Sequence, residues 1–120
     1  MQQIGVQPGS GPERRAYPRY RVDCPATITP VLGASRMTGR LLELSLGGCR
    51  VETDQRYLAN IMVRMEVEFN MRGIPFRLVG VTVGTRSKTS FAVRFLDMSE
   101  RRREQLAELL AEIAQEADAK

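Results

Sequence analysis

Between Ile61 and Phe69 the chain alternates with a period of two. Ile61, Val63, Met65, Val67 and Phe69 take one parity, and Met62, Arg64, Glu66 and Glu68 take the other. An extended chain sends successive side chains to opposite faces, whereas a helix carrying this pattern would have to bury glutamates. The stretch therefore reads as a strand with one buried face. Asn70-Met71-Arg72-Gly73 supplies a hairpin turn closing on glycine, and the chain returns through Ile74, Phe76 and Leu78. Beyond Leu78 the apolar positions change parity, to Val81 and Val83. A β-bulge at Gly80 is the expected cause, and bulges help a sheet curve toward closure.

The other segments obey the same rule. Val22, Cys24, Ala26 and Ile28 alternate with Asp23, Pro25, Thr27 and Thr29, with Pro25 indicating an edge or a strand start. Pro30 to Ser35 forms a loop with Gly33 as its turn residue. A second strand runs from about Met37 to Leu44 and ends in the corner Ser45-Leu46-Gly47-Gly48. Cys49, Val51 and Thr53 then oppose Arg50 and Glu52 on a third. Phe91, Val93 and Phe95 form the last, after the polar turn Ser87-Lys88-Thr89-Ser90. The period then changes. Ser99 can cap a helix that carries Leu106, Leu109, Leu110 and Ile113 on one face. Arg101 to Arg103 oppose the dipole of that helix, partly offset by Glu100 and Glu104, and are expected on a solvated face. Six short strands and one amphipathic helix predict an all-β fold with one C-terminal helix: a small antiparallel barrel or curled sheet, with the helix against an opening. So narrow a barrel fills its interior with side chains, so a ligand has to bind outside.

At 120 residues the chain has enough material for one modest core, and a 42% apolar content is that of a soluble globular chain. No apolar run can span a bilayer and the leader has no hydrophobic segment for secretion, which predicts a cytoplasmic protein with no membrane partner. Cys24 and Cys49 fit there as small core residues of a reduced protein. The chain has no histidine, which removes histidine-based nucleophile and proton-transfer arrangements. Without histidine, Ser45 is better suited to hydrogen bonding than to attack, and no enzyme activity is expected.

The charge of +4 is mild but uneven. Glu13-Arg14-Arg15-Ala16-Tyr17-Pro18-Arg19-Tyr20-Arg21 holds four arginines among nine residues, after a leader (residues 1–12) that is polar, aperiodic and expected to be disordered. Guanidinium is a permanently charged planar fork that matches phosphate oxygens or the edge of guanine two bonds at a time. Pro18 disfavours helix at Tyr17, so the stretch is expected to cross the surface as a bent loop. The Ser45-Leu46-Gly47-Gly48 corner suits an anion as well. Its glycines admit φ > 0 and close backbone approach, and successive N–H groups can converge there. A plain tight turn is the other reading of this string.

Arg15 and Arg19 form an R-x-x-x-R pair, and Glu43-Leu44-Ser45-Leu46-Gly47-Gly48 follows at the end of a strand. In this order and spacing the two stretches resemble the PilZ family, receptor domains for the bacterial second messenger cyclic di-GMP, whose second element reads D/N-x-S-x-x-G. The likeness runs from about Glu13 to the C-terminal helix. It implies a six-stranded antiparallel Greek-key barrel in a single domain over residues 13–120: arginine loop 13–21, barrel 22–96 and helix 99–117. It also implies that Arg15 and Arg19 grip guanine edges and phosphates, that Glu43 and Ser45 meet the second guanine, and that Gly48 admits the ligand closely. Arg14, directly before the pair, accompanies binding of two intercalated nucleotides in the family, and Arg86 is a further candidate contact to the second molecule. Glu43 departs from the family's Asp or Asn. The carboxylate is kept, but one methylene displaces it by about 1 Å, enough to weaken a preformed site.

The resemblance thus implies a receptor that orders its arginine loop on cyclic di-GMP and acts on an unidentified effector protein in trans, with no cofactor. Two alternatives stand beside it. One is a PilZ-like interaction module that has lost the nucleotide because of Glu43. The other is a small barrel binding single-stranded RNA; it is disfavoured because stacking aromatics are few and the phenylalanines sit on core parity, so neither DNA nor RNA is expected.

Overall fold

A computed structural model describes residues 17–32, 36–54, 62–85 and 89–119. Six strands, β1 (Tyr20–Pro30), β2 (Met37–Leu44), β3 (Gly48–Thr53), β4 (Arg64–Met71), β5 (Ile74–Thr85) and β6 (Ser90–Phe95), precede one helix, α1 (Glu100–Ala119). The strands close in the order β1-β2-β3-β6-β5-β4, every neighbouring pair antiparallel. Two three-strand meanders are thus joined by the β3–β4 crossover, which gives a Greek-key barrel, and closure pairs each described strand on both sides.

The alternation in the sequence determines what lies inside. Met65, Val67, Phe69 and Met71 of β4 are buried, as are Ala26 and Ile28 of β1 and Cys49, Val51 and Thr53 of β3. Phe69 stacks on Phe76 with centroids 5.2 Å apart. Pro25 is tolerated because pairing of β1 with β4 begins only at Ala26, so at Pro25 only β2 lies alongside. The β4–β5 hairpin loop narrows to Arg72 and Gly73, with φ of 55° and 82°, since Asn70 and Met71 still pair with Pro75 and Ile74. Positive φ at both central residues is the backbone of a type I′ turn. The leader, residues 13–16 of the arginine loop, the Gly33 turn, Ile61, and Ser87 and Lys88 of the turn before β6 lie outside the described residues.

Two sequence expectations need correction. No bulge occurs at Gly80: β5 keeps its register with β4 and β6 through Gly80 and Val81. Although Val81 is buried as expected, Thr82 beside it is buried too, on the same parity as Phe76 and Leu78. The register breaks later, between Thr82 and Gly84, where β5 passes β6, and Val83 is turned out to 43% exposure. The local string misleads because Thr82 is polar and yet inward. Its hydroxyl accepts from the Val63 N–H at 3.0 Å, which makes burial tolerable.

The second correction concerns the start of α1. Ser99 caps it as expected, its Oγ accepting from the Arg102 N–H at 3.1 Å, and Leu106, Leu109 and Leu110 are buried against the barrel. Arg102 and Arg103, however, are not merely solvated. Arg102 stands over the Phe76 ring at 5.2 Å and donates to the Pro75 carbonyl, and Arg103 stands over the Tyr17 ring at 5.0 Å. These contacts offset the unfavourable dipole by giving each guanidinium an aromatic face. At the far end of the helix, Arg72 pairs with Glu112 and Glu116 and ties the β4–β5 turn down. No described helix is long and apolar enough to cross a membrane.

Cys49 is buried and free, and burial pushes its thiol well above the usual range. The unfolded chain ionises this thiol at about pH 8.5 and the folded chain does not, so above that pH the unfolded state releases a proton that the native state keeps. Stability contributed by Cys49 is therefore constant below about pH 8 and falls as pH rises further, by up to about 1.4 kcal/mol per pH unit. Urea unfolding of wild type and Cys49→Ala at about pH 7.5 and about pH 10 should show the wild type's advantage shrinking by about 2 kcal/mol. An advantage independent of pH means that the thiol ionises in place.

Candidate ligand-binding site

On the outer wall, where the end of β2, the start of β3 and the β5–β6 pair meet the segment leading into β1, lies a cleft of about 320 Å³. Arg19, Glu43, Ser45 and Gly48 all line it, joined by Tyr17, Arg50 and Arg94. Two stretches well apart in sequence converge because β1 pairs with β2: Tyr20 lies opposite Leu44 and Arg21 opposite Glu43. The described part of the arginine stretch, from Tyr17, is thereby laid beside the corner. Arg14, Arg15 and Arg86 lie outside the described residues.

The electrostatics centre on Glu43. Its Oε1 stands 3.7 Å from Arg19 Nη1 and its Oε2 3.5 Å from Arg50 Nη2, so one carboxylate sits between two guanidiniums. Among the described residues no cluster of three metal-ligating side chains occurs.

Of the two readings of the corner, the structure takes the self-contained tight turn, not an open anion-receiving nest. Ser45 Oγ accepts from the N–H groups of Gly47 and Gly48, each at 3.1 Å, and stands 3.3 Å from the Gly48 carbonyl, to which it donates. The Ser45 N–H donates to that same carbonyl at 2.9 Å. Both N–H groups expected to converge on an anion are thus spent on the serine, which is itself 8% exposed. Positive φ is not used at Gly47 or Gly48 either. What glycine supplies is closeness. A Cβ on Gly47 would lie 3.0 Å from the Tyr17 ring, and one on Gly48 would collide with the Val93 carbonyl.

Four contributors escape the sequence reading: Arg50, Arg94, Tyr17 and Arg103. Tyr17 packs between Gly47 and Arg103, whose Nη2 donates to the tyrosine hydroxyl, so the root of the arginine arm is fastened to the first turn of α1. The signal for Arg50 is present in part, since a strand register placing it opposite Glu43 would expose it.

Fold and site together define a closed β-barrel with an arginine-bearing cleft on its outer wall. The PilZ domain family matches residues 13–112, and the chain belongs to that family. Among solved structures it is similar to the PilZ domain of YcgR from Escherichia coli with cyclic di-GMP (22% identity, TM-score 0.68, covering 88% of this chain and 98% of that one). It is also similar to YcgR of Escherichia coli in complex with cyclic di-GMP (25% identity, TM-score 0.68, 88% and 48%). A third similar structure is the inhibitor of motility of Bacillus subtilis (13%, TM-score 0.69, 89% and 53%). The chain thus spans about half the length of the latter two proteins. No curated protein matches the chain.

Proposed function

We propose that this protein is a cytoplasmic cyclic di-GMP receptor that binds the nucleotide across the cleft between the arginine stretch and the Ser45–Gly48 corner. The observation that carries the reading is the convergence of Arg19, Glu43, Ser45 and Gly48, drawn from two separate motifs, on one cleft. Family membership and the nucleotide in the YcgR structures support it. Arg15 and Arg19 provide forks for guanine and phosphate, and Glu43 accepts guanine N–H donors. Ser45 acts chiefly by holding the corner in shape, since its hydroxyl is engaged there. Arg14 and Arg86 serve a second, intercalated nucleotide. Anionic ligand folds the arginine loop onto the barrel, and the ordered loop presents a surface to an effector protein in trans. No bond is broken; the role is recognition.

Calorimetric titration with cyclic di-GMP tests this. Saturable binding at micromolar ligand, with two nucleotides per chain, is expected. No heat at high micromolar ligand rejects the reading and favours an interaction module that works without nucleotide. The observation on the side of that second reading is that Glu43 is already engaged by Arg19 and Arg50 in the free protein.

A further inference from the structure

We propose that Arg50 is a positioning residue of the ligand site: the standing counter-ion of Glu43, which lets Arg19 leave that carboxylate for the ligand. The inference rests on reading the cleft as the cyclic di-GMP site.

Arg50 and Glu43 are direct partners across the β2–β3 pair, just past the irregularity between Leu41 and Glu43. The side chain of Arg50 is 25% exposed and its guanidinium is braced in the wall. Nη2 faces Glu43, Nη1 donates to Ser90 Oγ at 3.3 Å on the buried start of β6, and Nε is buried without a hydrogen-bond partner. A buried donor left unpaired is costly, and a structure keeps one where something else depends on the group.

What depends on it is the charge on Glu43. Arg19 is 40% exposed and precedes β1, so it can turn; Arg50 is anchored between two strands and cannot. A ligand bearing two phosphates draws Arg19 toward itself. Were Arg19 the sole counter-ion, each binding event would strand a carboxylate that is 26% exposed, and that cost would be subtracted from affinity. With Arg50 in place, Glu43 stays paired from behind while its front oxygen turns to the guanine. The longer Glu side chain is what lets the carboxylate reach both guanidiniums at once. The departure from Asp or Asn and the wall arginine are therefore one device.

The test is a double-mutant cycle read by cyclic di-GMP affinity. Arg50→Ala is expected to weaken binding about tenfold when Glu43 is intact but less than about threefold beside Glu43→Gln, since a neutral amide needs no counter-ion. Arg50→Lys should restore most of the loss, because charge rather than fork geometry is required. Thermal melting checks each variant, and if Arg50→Ala does not fold, Arg50→Gln against Arg50→Lys gives the same comparison. An equal loss with Glu43 intact and beside Glu43→Gln, or no loss in either setting, overturns the inference while leaving the receptor reading intact. Absence of binding by the wild-type protein removes both.

Discussion

Arg19→Ala is expected to weaken cyclic di-GMP binding by at least about 100-fold, close to 3 kcal/mol. The guanidinium lines the cleft, 40% exposed and paired with Glu43 over 3.7 Å. An arginine bidentate on guanine is worth about 1–3 kcal/mol of discrimination, and a phosphate contact adds to that. Glu43 keeps Arg50 as its partner in the variant, so the loss reports the missing contacts of Arg19 to the ligand. Arg19→Lys keeps the charge and loses the fork, and should fall between, at roughly tenfold. Because Arg19 precedes β1 and contributes nothing to the barrel core, both variants should melt with the wild type. Titration calorimetry beside thermal melting separates the two effects. An Arg19→Ala protein that binds within about threefold of wild type removes Arg19 from the site.

The barrel is legible wherever burial alone decides parity. Met65, Val67 and Phe69, the inward residues of β1 and β3, and the leucines of α1 all lie where the alternation puts them, because each segment has one dry face and a one-residue slip would bury charge. Legibility fails where a partner distant in sequence changes the rule. Thr82 reads as outward until the Val63 N–H is found on its hydroxyl. Arg103 reads as solvated because its aromatic partner, Tyr17, is 86 residues away. Arg50 reads only as the outer face of β3, since its meaning comes from the register with Glu43. The Ser45 corner is a different case, because its signal is local. A serine followed two and three residues later by glycine can turn its hydroxyl onto those N–H groups, a self-contained turn that competes with any nest open to a ligand.

That competition makes Gly48→Ala the most damaging small substitution near the cleft, by about 3 kcal/mol, toward the upper end for overpacking. Gly48 pairs with Arg94 across β3 and β6, and an added Cβ meets the Val93 carbonyl closer than real Cβ atoms approach one. A backbone oxygen cannot rotate aside as a side chain can, so the β3–β6 seam itself has to part. The corner is locked to that seam: the Gly48 N–H donates to Ser45 Oγ, the Gly48 carbonyl accepts from the Ser45 N–H, and the Phe95 N–H donates to the Gly47 carbonyl at 2.9 Å. Parting the strands loosens all three bonds, and for a domain of this size the melting temperature should drop by about 12–20 °C. Gly84→Ala is the control. It lies on β5, the strand beyond β6, near the irregularity that follows Thr82, but its Cβ would meet nothing within 4 Å. The lower entropy of the unfolded chain should leave that variant unchanged or about 0.5 kcal/mol more stable. Should the two variants melt together, steric contact across β3–β6 is not what requires glycine at position 48. If they separate as expected, the glycine of this motif is required by the barrel before any nucleotide arrives, and its effect on affinity follows from the shape of the corner rather than from the approach of the ligand.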